Sequence, residues 1–94
     1  MYEFTFDVCP QLDNPEHGTV LARDLTILVD QSTRSAAEMI ARKRVGDLRF
    51  DIRSLDDVRS VELDTCPPGT PARWLLERAR AEGIVVVFGP SYPW

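Results

Sequence analysis

Residues 48–64 read Leu48-Arg-Phe-Asp-Ile-Arg-Ser-Leu-Asp-Asp57-Val-Arg-Ser-Val-Glu-Leu-Asp64, and the fold turns on how many strands this stretch holds. Leu48, Phe50 and Ile52 alternate with Arg49, Asp51 and Arg53, the period of two of a strand that lays one face on a core. The alternation then fails. Ser54-Leu-Asp-Asp57 reads as a capped turn, its acids placed where the start of a short helical turn favours negative charge. A second, short strand is expected around Ser60 to Asp64.

Upstream, Ser35-Ala-Ala-Glu38 has the capping-box pattern ahead of Met39 and Ile40, and Gly46 follows the basic turn Arg42-Lys43-Arg44. These signals predict a helix over about residues 33–45. Thr19 to Asp30 reads as a strand with Leu25, Ile27 and Val29 on one face. Val20 and Ala22 lie in the opposite phase, which calls for a bulge near Arg23 and Asp24. Two prolines, an Asn-Pro pair and Gly18 make Cys9 to Gly18 a loop. In residues 2–8, Tyr2, Phe4, Phe6 and Val8 alternate with Glu3, Thr5 and Asp7, giving a further strand.

Downstream, Thr70 can cap a helix and Pro71 suits its first position, where a missing N–H costs nothing. Ala72, Leu75, Leu76 and Ala79 form one apolar stripe, and Gly83 ends a helix running to about Glu82. Ile84-Val-Val-Val-Phe88 is apolar without alternation, so this strand should be covered on both faces or sit centrally. Residues 89–94, Gly-Pro-Ser-Tyr-Pro-Trp, follow as a proline and aromatic tail.

Residues 24–88 thus spell βαββαβ. The expected fold is α+β and ferredoxin-like, an antiparallel sheet with two helices on one face and residues 2–8 as an extra N-terminal strand. A faint internal echo agrees, since Met39-Ile40, Arg42 and Arg44 before Leu48 match Leu75-Leu76, Arg78 and Arg80 before Ile84. At 94 residues, 44% hydrophobic and 28% charged, the chain has the balance of one globular domain spanning residues 1–94.

The net charge of −4 argues against attachment to nucleic acid or anionic membranes. Acidity gathers at the amino end, where Glu3, Asp7, Asp13, Glu16, Asp24 and Asp30 face a single base, Arg23. No apolar run approaches the roughly 18–20 residues of a membrane span, and Met-Tyr-Glu-Phe does not resemble a secretory leader, so a cytoplasmic protein is expected. Cys9 and Cys66 show no metal or disulfide spacing. Neither a cofactor nor a metal site is read from the sequence, and Gly69-Thr70-Pro71 lacks the lysine and glycine spacing of a phosphate loop.

The candidate functional residues are few. His17 is the only histidine and reads as a solvated loop residue rather than a catalytic base or a metal ligand. Asp56 and Asp57 read as capping residues, and Cys66 stands too far from the helix start at Pro71 to be an activated nucleophile. Arg42, Lys43, Arg44 and Arg49 form the one basic cluster, suited to an acidic partner more than to nucleic acid. Tyr92 and Trp94 in the tail, together with Trp74, are large anchors of the type enriched at binding hot spots. With Glu3, Asp7, Asp13 and Glu16 as an acidic surface, they form the expected partner-binding set.

These features point to a protein-binding module without catalysis that occupies a partner's surface. Inhibitors, antitoxins and immunity proteins, phage-encoded ones included, act this way, and the warrant is analogy of size and charge. The alternative is a small ferredoxin-like enzyme or ligand-binding protein, with an apolar pocket between sheet and helices holding His17 or Tyr2. Free edge strands would also admit a homodimer.

Overall fold

The computed structural model describes residues 1–93, and Trp94 lies outside the described residues. The chain forms β1 (Tyr2–Pro10), β2 (Val20–Val29), α1 (Arg34–Asp47), β3 (Phe50–Ser60), a 3-10 turn (Leu63–Thr65), α2 (Pro71–Glu82) and β4 (Ile84–Pro93). It is a small α+β protein, a four-stranded antiparallel sheet in the order β3-β1-β2-β4 with two helices.

The stretch 48–64 holds one strand where two were expected. Val8 faces Ile52, Phe6 faces Leu55 and Phe4 faces Val58, with register shifts between Thr5 and Phe6 and between Asp7 and Val8. Arg53 and Asp56 are the extra residues of two β-bulges, each adding one residue to the usual step of two. Ile52, Leu55 and Val58 are therefore three apart in sequence yet all pack on the same core. The expected turn at Ser54–Asp57 lies inside β3, and Leu63–Thr65 is a 3-10 turn rather than strand. The ferredoxin-like βαββαβ order over residues 24–88 thus lacks one strand, and residues 2–8 belong to a central strand rather than an addition to the sheet.

The helices also depart from expectation, because they cover opposite faces. Phe4, Phe6 and Val8 of β1 and Leu25, Ile27 and Val29 of β2 form one core with Ala37, Ala41 and Val45 of α1. Leu28 and Val85 point the other way and pack with Leu76 and Ala79 of α2. The connections explain the arrangement. β2 and β3 both run antiparallel to β1, so they are parallel to each other, and α1 makes the crossover between them. The chain must then return from the β3 edge to the β4 edge, and the face opposite α1 is the free one.

Local signals fix the helix ends. Thr33 caps α1, its hydroxyl accepting from the Ala36 amide at 3.4 Å, while Glu38 pairs with Arg42 and Arg34 rather than closing a capping box. Gly46 lies within α1. Thr70 caps α2, and Gly83, at φ 86°, closes it with an N–H bond to Ala79 O of 2.7 Å. The α1–β3 turn instead places Arg49 at φ 67°, a left-handed conformation that costs a non-glycine residue about 1–2 kcal/mol. Arg49→Gly should raise stability by about 0.5–1 kcal/mol, because the Arg49–Asp13 pair it removes is mostly exposed. A thermal melt by circular dichroism checks this, and a lower midpoint would show that the arginine side chain outweighs the strain.

β4 is covered on both faces over Ile84–Val87, as expected, but as an edge strand rather than a central one, and it continues through the stretch read as a tail. Ala22 faces Tyr92 and Val20 faces Pro93, with a register shift between Arg23 and Leu25 where a bulge was expected. Gly89 permits the passage, since a Cβ there would stand 3.1 Å from both Cβ and O of Asp24.

Candidate functional site

On the face opposite α1, α2 lies over β2 and β4, beside the 3-10 turn. The strand alternation that sends Phe4, Phe6 and Val8 into the core sends Glu3, Thr5, Asp7 and Cys9 to this other face. The paired residues follow them. Asp51, Ser54, Asp57 and Arg59 of β3 lie across from Cys9, Asp7, Thr5 and Glu3, and Asp24 and Thr26 of β2 lie across from Asp7 and Thr5. The result is an open sheet surface of carboxylates and hydroxyls, with Arg53 and Arg59 as its bases.

At its centre Asp7 and Asp24 are direct cross-strand partners, and both are half-buried. Like charges in this position repel. Arg53, from a bulge of β3, brings Nε to 3.7 Å from Asp7 Oδ2 and relieves part of the strain. Asp56, from the other bulge, accepts from Ser54 Oγ at 2.5 Å, and Arg59 Nε pairs with Asp57 at 2.7 Å. Asp7, Asp24, Arg53 and Asp56 line a hollow of about 400 Å³ with Leu21, Ala22 and Tyr92. Tyr92 is 50% exposed. The β2–β4 pairing thus sets one expected aromatic anchor beside one expected acid.

The other expected residues are dispersed. Glu3 lies on the same sheet face, at the margin of a cavity of about 210 Å³ under α2 that Leu28, Val61, Cys66, Ala72, Leu75 and Leu76 complete. His17 and Tyr2 do not line it. Asp13 and Glu16 sit in the β1–β2 loop. Glu16 is held by Arg23 at 2.8 and 3.1 Å, and that guanidinium also stacks over Phe88 and donates to Gly89 O. Trp74 projects from α2, 56% exposed, with the Arg78 guanidinium 5.3 Å from its ring centroid. Trp94 falls outside the described residues. The basic cluster does not form one surface, since a helix turns about 100° per residue. Arg42 pairs with Glu38 and lies over the Phe6 ring, Lys43 is exposed, Arg44 is half-buried, and Arg49 turns to Asp13.

His17 is exposed in its loop, and Cys9 and Cys66 are both free thiols. Among the described residues no group of His, Cys, Asp and Glu has the arrangement to hold a metal ion. Among the described residues no helix is long and apolar enough to cross a membrane. Sequence reasoning missed Asp24, Arg53 and Asp56 as site residues. Asp24 was legible as the residue opposite in phase to Leu25, but the bulges that carry Arg53 and Asp56 depend on the partner strand. Comparison with protein-family models, with curated proteins and with solved structures finds no match.

Proposed function

We propose that the protein binds another protein through the open face of β1, β2 and β3, and acts by occupying that partner's surface. The partner presents Lys and Arg side chains to Asp7, Asp24 and Asp56, with Tyr92 as the apolar contact at the edge. The observation that carries this reading is the Asp7–Asp24 pair. Like charges directly across two strands are unfavourable to a sheet, Arg53 answers Asp7 alone, and a local rule broken in this way is a mark of a functional surface. A cationic side chain placed between them turns the repulsion into two attractions. Such complementarity raises association rates and selects against acidic partners. An inhibitor, antitoxin or immunity role follows from the same chemistry and needs no catalytic group on this chain.

The isosteric double variant Asp7→Asn/Asp24→Asn separates binding from folding. Removing the repulsion should stabilise the protein by about 0.5 kcal/mol, a rise of about 2–4 °C in midpoint. Capture of a basic partner from lysate of the native host should fall at least about 10-fold, and wild-type capture should weaken as salt rises. A variant that melts higher and still captures the partner undiminished would remove the open face from the function. Absence of any salt-sensitive basic partner for the wild type would overturn the reading as a whole.

A further inference from the structure

The two edges of the sheet are unlike. β3, at one edge, carries Asp51, Arg53, Asp56, Asp57 and Arg59 and two bulges, the devices by which edge strands avoid pairing with other chains. β4, at the other, opens with Ile84-Val-Val-Val-Phe88, which holds no charge and no proline, and Pro90 and Pro93 appear only afterwards. α1 lies over β1, β2 and β3, short of the outer edge of this strand, and Phe88 is 51% exposed. Among the described residues, no turn, loop or helix backbone group hydrogen-bonds to Ile84–Pro93, so the outer N–H and C=O groups of residues 84–88 stand unpaired by backbone.

We propose that this edge pairs with a second copy of the chain, β4 against β4 in antiparallel register, to give a dimer with one continuous eight-stranded sheet. This goes beyond the acidic-face reading and does not depend on it. The occupant is a second copy because the segment is self-complementary. A two-fold axis at Val86 sets Ile84 opposite Phe88 and Val85 opposite Val87, and it ends the ladder before Pro90 of either copy.

Helix α2 favours the same axis. It lies over β2 and β4, and strands are about 4.8 Å apart, so two helices riding over the β2–β4 seams would sit with axes about 10 Å apart, close to ordinary helix packing distance. Arg73 donates to Leu63 O and Cys66 O, and Arg80 borders Leu63 and Asp64, which fixes the flank of α2 that faces the 3-10 turn. Arg78 and Glu82, joined at 3.2 Å, fall on the opposite flank, toward the β4 edge. Across the axis this flank of one copy faces the same flank of the other. The axis runs through the sheet, so the two acidic faces emerge on the same side of the dimer.

At the axis, Val86 meets its own copy with Cβ atoms about 5 Å apart. Val86→Lys and Val86→Glu each place like charges there and should weaken dimerisation at least about 100-fold. Mixed in equal amounts, the two variants should dimerise again. Sedimentation velocity from low micromolar to sub-millimolar concentration reads the result. Hydrogen exchange on the unmodified protein needs no variant, and residues 84–88 should gain protection as concentration rises. A wild type that stays monomeric, variants that dimerise as the wild type does, a mixture that stays monomeric, or protection that appears elsewhere would each overturn the proposal. Because the Asp7→Asn/Asp24→Asn variant leaves β4 unchanged, its dimer should persist whatever becomes of partner capture.

Discussion

Phe6→Ala is expected to destabilise the protein by about 3–5 kcal/mol, a large share of the 5–15 kcal/mol typical of domains. Phe6 is fully buried, stacks on Phe4 with centroids 6.2 Å apart, and stands between Leu25 of β2 and Leu55 of β3. The Arg42 guanidinium lies 5.7 Å above the ring centroid. Truncation removes the ring from the centre of the sheet, where neighbours on both sides are tied by backbone ladders and cannot close the cavity. A urea titration followed by circular dichroism should show a lower midpoint with little change in slope. Phe88→Ala supplies the contrast, since that ring is half exposed, and its cost should be well below that of Phe6→Ala. Equal costs would place the core elsewhere than under α1.

Asn14→Ala is expected to cost about 2–4 kcal/mol, although the residue lies in a surface loop. Asn14 is the one buried polar residue described, at 7% exposure. Its Nδ2 donates to Leu48 O at 3.2 Å and Arg49 O at 2.9 Å, and its Oδ1 accepts from the Glu16 amide at 2.8 Å. One side chain thereby ties the β1–β2 loop to the α1–β3 turn, 34 residues away in sequence. Asn14→Asp keeps the acceptor and loses the donors, so it should be at least as damaging as alanine. Faster hydrogen exchange at Glu16 and at Gln11, whose amide donates to Arg49 O at 2.9 Å, would confirm that the tether has opened. Unchanged exchange at both amides would show that Asn14 is not the tether.

The parts of this fold that were legible in the sequence are those whose causes are local. Tyr2, Phe4, Phe6 and Val8 announce a strand by period alone, and Thr70, Pro71 and Gly83 mark both ends of α2 because capping depends on neighbouring residues. β3 was not legible, because a bulge is a relation between two strands and Arg53 and Asp56 become extra only against β1. The apolar run Ile84–Phe88 announces a strand covered on both faces, and Ile84 and Val86 do pack on the core under α1 while Val85 and Val87 pack on the core under α2. The run also suggests a central place, which the edge position denies. Ile27-Leu28-Val29, buried throughout, is the central run with two covered faces. Of the candidate site, the acids of β1 were visible, but their meeting with Asp24 and Tyr92 is a matter of register.

The strand order has a consequence for how the chain emerges during synthesis. Both central strands, β1 and β2, are complete by residue 29, while the strand that covers the outer side of β2 ends at residue 93. At about 5–20 residues per second, the nascent hairpin waits about 3–13 s with Leu25, Ile27 and Leu28 on an unpaired edge. A ribosome that stalls before Ile84 therefore displays a sticky, half-built sheet, and such truncated chains are natural clients for a chaperone.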